Sequence, residues 1–335
     1  MTPRFAIGAD PRYPPIQPYA HGLLPVGAGH QLYWETCGNP HGLPALFLHG
    51  GPGGGCSPSS RRFFDPARYR MILFDQRGCG RSTPGGSLKS NTTTHLINDI
   101  EALRRFLNVD RWLLFGGSWG ATLALAYAGQ FPQCVYAIVL RAVFTARQSE
   151  LAWLYQGGAA KVFPEAWARF ENFIPDSERR DLLRAYHTRL TSGNAQTESA
   201  AARAWCVWED AIATLLPCPY ITDEQSMRSL ARIETHYFVH RAFIDEGQLL
   251  ANANRLHEIP GVIVQGRYDM VTPPVTACEL HHAWAGSRLK IIEDAGHASS
   301  EPGIARELIK ATDQFADRFA ANQIATIPHG TRLSP

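Results

Sequence analysis

Short apolar runs that stop at glycine- or aspartate-bearing turns dominate the first 140 residues and the stretch after 260. They lie at 45–48, 71–74, 112–115, 136–140, 262–264 and 289–292 and are rich in Val, Ile, Leu or Phe. Five of them lead into HGGPGGG, DQRG, GGSWG, QGRYD and EDAGH. Apolar runs of this length predict strands buried on both faces, the kind a parallel sheet requires. Between them, 94–107 places Leu96, Ile100, Leu103 and Leu107 along one helical stripe. Residues 121–128 are small and apolar all round, which predicts a buried helix. Strands alternating with helices predict an α/β fold with a mostly parallel central sheet and helices on both faces.

The pattern changes between about 142 and 255, where Trp, Tyr, Ala, Glu and Arg are frequent and no run reads as a strand. Strand signals return at Val262. The expected division is a core of residues 1–141 and 256–335 interrupted by a helical cap of residues 142–255.

Composition narrows the class. At 335 residues the chain can bury a large core without disulfides or metals. Thirty-two basic against 30 acidic residues give +2, and no Lys/Arg run reaches five, so neither a nucleic-acid nor a membrane surface is indicated. Seven cysteines, an odd number with no C-x-x-C pair, argue against a zinc ribbon and a disulfide framework. Reduced thiols, no signal-peptide stretch and no window of eighteen apolar residues predict a soluble cytoplasmic protein.

Gly116-Gly117-Ser118-Trp119-Gly120 fits G-x-S-x-G, with an apolar run before it and a helix after it. That context makes Ser118 a candidate nucleophile on a sharp strand-to-helix turn. A serine hydroxyl needs a base to take its proton. His297, in Asp294-Ala-Gly-His297, follows the last apolar run, and Asp269, in Gly266-Arg-Tyr-Asp269, follows the one before. Both would lie at strand C-termini, on the edge that carries Ser118. Asp294 is a rival acid, but it shares a short loop with His297, whereas Asp269 arrives from another strand. The loop 49–55, with five glycines in seven residues, exposes backbone N–H groups. No G-K-[ST] follows it, which disfavours a phosphate loop and favours one donor of an oxyanion hole. The expected donors are Gly51 and Trp119.

HGGPGGG, DQRGCGRS, GGSWGATLAL, GRYDMVTP and AGHASSEP, in this order, resemble the prolyl iminopeptidases of the α/β-hydrolase fold. VLRAVFTAR, FPEAW, AWCVWE and ARIETHYF in the cap are the narrower part of the match. The resemblance implies a serine aminopeptidase that releases N-terminal proline from small peptides without metal or organic cofactor. It assigns Ser118, Asp269 and His297 to the triad. It also implies that Glu209 and Glu234 bind the free amino end, and that Arg141, Phe144 and Tyr155 line the pocket. Two carboxylates suit a secondary ammonium with two N–H donors. Val271 stands where many relatives carry Cys, and Thr235 where Asn is common. An esterase or a broader aminopeptidase on the same scaffold is the alternative, because one fold hosts many chemistries. A non-catalytic binding protein would be expected to lack a member of the triad, and all three are present.

Overall fold

The computed structural model describes residues 10–216 and 223–325. Eight strands form one sheet: β1 (Pro18–Gly27), β2 (His30–Gly38), β3 (Leu43–Leu48), β4 (Tyr69–Phe74), β5 (Trp112–Ser118), β6 (Val135–Val143), β7 (Gly261–Gly266) and β8 (Ser287–Ile292). Their spatial order is β1-β2-β4-β3-β5-β6-β7-β8. β1 and β2 pair antiparallel, β2 joins β4 antiparallel, and all later neighbours are parallel.

The apolar runs are continuous because alternate residues feed two different cores. In β5, Trp112 and Leu114 enter one core while Leu113 and Phe115 enter the other. In β6, Ile138 and Leu140 part from Ala137 and Val139 in the same way. Helices α1 (Thr93–Phe106) and α2 (Trp119–Gln130) cover the first face. The long C-terminal helix covers the second through Ile304, Leu308 and Phe315. Thr92 caps α1 by accepting the His95 N–H, and α2 is buried along almost its whole length, as its apolar composition requires.

The β1–β2 hairpin was not legible as strands. β1 alternates half-buried with exposed positions and carries Pro18 and Pro25, which its edge position tolerates because one row of N–H groups is unpaired there. β6 extends to Val143, past the position 142 at which the helical cap is expected to begin.

Between β6 and β7 the described residues contain helices and no strand: α3 (Gln148–Tyr155), α4 (Pro164–Asn172), α5 (Leu182–Leu190), α6 (Ala195–Ile212), α7 (Glu224–Val239) and the short α8 (Gln248–Ala251). Aromatic side chains hold them together. Phe170 stacks on Tyr186 at 4.4 Å, Tyr155 on Trp205 at 4.3 Å, and Trp167 meets Trp208 edge-on at 5.2 Å. These rings belong to the same apolar cluster as α1, α2 and one face of the sheet. α9 (Pro274–Ala283) and α10 (Pro302–Ala325) complete the fold. No helix of the described residues is long and apolar enough to cross a membrane.

Candidate active site

Ser118 ends β5 and precedes the first residue of α2, with φ 58° and ψ −124°. This backbone is costly for a non-glycine residue and is the kind of strain found at functional turns. The neighbouring glycines make it sterically possible. A Cβ on Gly116 would lie 2.2 Å from the Gly120 carbonyl oxygen, and one on Gly120 would lie 2.1 Å from the Leu48 carbonyl oxygen. Gly120→Ala is therefore expected to destabilise the fold by about 3 kcal/mol, as overpacking against rigid backbone does. A denaturant melt matching the parent would show that the turn can open to admit a methyl group.

Asp269 is fully buried just after β7, and each of its oxygens is saturated. Oδ1 accepts the N–H groups of Val271 (3.0 Å) and Thr272 (2.7 Å); Oδ2 accepts Thr272 Oγ1 (2.8 Å) and Gln265 Nε2 (3.0 Å). His297 Nδ1 lies 3.0 Å from both oxygens. Burial pushes this carboxyl up, but His297 and the Thr272 hydrogen bonds outweigh it and hold it below its ordinary value. An ionised Asp269 fixes the Nδ1–H tautomer, leaving Nε2 as an acceptor. Asp294, the rival acid, makes no hydrogen bond to His297. Ser118 and His297 both line one cavity of about 310 Å³, without a hydrogen bond between Oγ and the imidazole. Such bonds often close only in the substrate complex.

The glycine loop after β3 borders the same cavity through Gly50, Gly51, Gly54 and Gly55. Among the described residues the Gly51 N–H has no hydrogen-bond partner. Trp119 is the first residue of α2, where a helix leaves its N–H groups unsatisfied. The Trp119 side chain points elsewhere: its indole donates to Gln76 Oε1 at 2.9 Å and meets Tyr237 edge-on. Leu230 of α7 packs against the loop so closely that a Cβ on Gly53 would come within 2.9 Å of its Cα.

The scaffold behind the loop escaped sequence reasoning. Gln76 donates its N–H to His49 Nε2 (2.9 Å) and its amide to the His49 carbonyl (3.0 Å). Burial lowers the His49 pKa, which suits a neutral ring donating from Nδ1 to Gly50 O. Asp75 accepts the Cys56 N–H at 2.7 Å and is clamped by Arg81. The DQRGCGRS motif thus braces the HGGPGGG loop and the Ser118 turn together. Its polar residues, followed by two more glycines, were the available signal.

Glu209 on α6 and Glu234 on α7 line the same cavity. Tyr155 donates to Glu209 at 2.5 Å, and Trp205 Nε1 donates to Glu234 at 2.8 Å. Burial, first of all, raises both carboxyls above their ordinary values, and the charge of Glu209 adds to the shift of Glu234. The two groups titrate as a pair. Phe144 and Tyr155 also line the cavity.

Arg141 is placed differently from the expectation. It is absent from the lining; its guanidinium lies against Gly117 and donates to the His297 carbonyl. Burial lowers its pKa to about 10. Glu301 accepts the adjacent Gly296 N–H at 2.8 Å, so the His297 loop is held from both sides. Thr235 does not reach the carboxylate pair; it bonds back to the Ala231 carbonyl and meets His187. Val271 lines the cavity. A larger cleft of about 590 Å³ lies beside α7, but three of its four charged lining residues, Glu198, Arg228 and Arg232, already pair with one another.

Comparison with known proteins narrows the chemistry. Residues 44–303 match the α/β hydrolase fold family. A proline iminopeptidase of Xanthomonas citri is 52% identical over 309 residues, covering 91% of this chain and 99% of that protein. Proline iminopeptidases of Arabidopsis thaliana (50%; 90% of this chain, 81% of that protein) and Neisseria gonorrhoeae (42%; 90% and 98%) are also similar. Among solved structures, an esterase from Exiguobacterium antarcticum shares the fold at TM-score 0.53 and 19% identity, over 88% of this chain and 96% of its own. An α/β hydrolase from a deep-sea metagenome does so at 0.55 and 16%, over 93% and 100%.

Proposed function

The chain belongs to the proline iminopeptidase family of α/β hydrolases, and on that footing we propose that it releases N-terminal proline from small peptides by acyl transfer through Ser118. Ser118 Oγ attacks the prolyl carbonyl carbon while His297 Nε2 takes its proton. The N–H groups of Gly51 and Trp119 hold the oxyanion; losing one such donor typically costs about 3 kcal/mol of transition-state stabilisation. The tetrahedral intermediate collapses, the C–N bond breaks, and His297 hands its proton to the departing amine. Water then adds to the prolyl ester, giving its proton to His297, and Ser118 leaves reprotonated with free proline as product. Asp269 keeps the imidazole in the productive tautomer throughout.

The observation that carries the proline-end specificity is the carboxylate pair, Glu234 buried and Glu209 half-buried, in the cavity that also holds Ser118 and His297. An N-terminal prolyl nitrogen is a secondary ammonium with two N–H donors. Glu209 and Glu234 can accept both and replace its lost hydration. The helices between β6 and β7 act in this reading as the cap that brings the pair over the nucleophile. The described cysteines are all unpaired, which supports a reducing, cytoplasmic setting.

A panel of arylamides tests the assignment. Prolyl arylamide is expected to be cleaved well ahead of alanyl arylamide, and N-acetyl-prolyl arylamide to be inert, because acetylation removes the charge and both donors. Turnover of a p-nitrophenyl ester with no preference for the prolyl amide would replace this reading with an esterase.

A further inference from the structure

One carboxylate in the cavity has no task in the reaction as proposed. Asp210 follows Glu209 on α6 and lines the cavity, and among the described residues its side chain has no ion-pair or hydrogen-bond partner. Its position on the helix separates it from the amine site. Trp205 and Glu209, four residues apart, share the face that meets Glu234 and Tyr155. Consecutive helical residues are rotated by about 100°, so Asp210 belongs to another face. One turn on from both Glu209 and Asp210 is Ala213, which also lines the cavity. The Ala213 carbonyl accepts the backbone N–H of His297 at 3.1 Å. Asp210 therefore lies within one helical turn of the contact with the His297 loop, on a face other than the one through which Glu209 meets Tyr155.

This arrangement bears on the second residue of the peptide. In acyl transfer the leaving amine takes its proton from the histidine, so the chain beyond proline departs past the His297 loop and the α6 end that touches it. Glu209, Asp210 and Glu234 line the cavity, and no lysine or arginine does. We propose that Asp210 is a specificity determinant for the residue after proline, favouring a cationic side chain there and disfavouring an acidic one. This rests on the aminopeptidase reading above. Asp210 remains in contact with solvent, so its influence is moderate and screened by salt.

The test compares proline release from Pro-Arg-NH₂, Pro-Ala-NH₂ and Pro-Glu-NH₂. The parent enzyme is expected to favour the Arg over the Glu peptide about tenfold in kcat/KM at low salt, with the ratio shrinking towards one near 1 M salt. Asp210→Asn should lower that ratio at least about threefold, and Asp210→Lys should invert it. A ratio measured within one protein is insensitive to partial loss of folded enzyme. A parent ratio near one, or a ratio unmoved in Asp210→Asn, overturns the inference while leaving the aminopeptidase reading intact. No proline released from any of the three peptides overturns both.

Discussion

Ser118→Ala is expected to lower kcat/KM for a prolyl arylamide by about 10⁴-fold or more, leaving only what the oxyanion donors and the binding cavity supply. The proposed chemistry uses no second nucleophile: the lining hydroxyls of Tyr155 and Thr272 are engaged by Glu209 and Asp269, and Glu209 and Glu234 are assigned to the amine. Labelling by a serine-reactive fluorophosphonate should vanish in the same variant. Ser118→Gly should be just as inactive yet more stable than the parent by about 1–3 kcal/mol, because only glycine adopts φ 58° and ψ −124° without strain. An alanine variant that kept even a few per cent of the parental rate would move the nucleophile elsewhere.

Glu234→Gln is expected to separate binding from stability. The variant keeps an acceptor for Trp205 Nε1 but loses its negative charge, so kcat/KM for free-amine substrates should fall about 10²-fold, chiefly through KM. Stability should move the other way. Burial and the neighbouring Glu209 raise the Glu234 pKa in the folded protein. A raised carboxyl stabilises fully at pH values below its unfolded pKa, and that contribution is lost as pH rises through the folded value. At pH 8 the parent therefore carries an unfavourable charge that Gln removes, and Tm should rise by about 2 °C there, with little or no gain at pH 5. The same linkage means that affinity for a small cation such as pyrrolidine weakens as acidification protonates the pair. Equal Tm differences at both pH values would show that Glu234 is not held in an anion-hostile setting.

How much of this could be read beforehand follows from where each signal resides. Apolar runs revealed β4 to β7 because both faces of those strands are buried, and the half-exposed edge strand β8 through the motif behind it; those motifs marked the edge where ligands gather. The β1–β2 hairpin stayed hidden because its outer strand alternates and is interrupted by prolines. Ser118, Asp269 and His297 stood out because each occupies a turn of unusual composition. Arg141 did not reveal its position: nothing in VLRAV tells whether its guanidinium enters the cavity or turns back to the His297 carbonyl. Gln76, His49 and Asp75 act by joining backbone groups of distant loops, and such pairings leave no periodic trace.

Leu230 and Glu234 sit one helical turn apart on α7, the former seated against Gly51 and Gly53, the latter beside Trp205. One rigid rod thus behaves as a caliper whose jaws are the oxyanion loop and the proposed ammonium seat. With the proposed amine seat a single helical turn from the residue that packs on the oxyanion loop, a longer N-terminal overhang finds no register. Each visit would then remove a single N-terminal proline, with the size of that step set by a helical pitch.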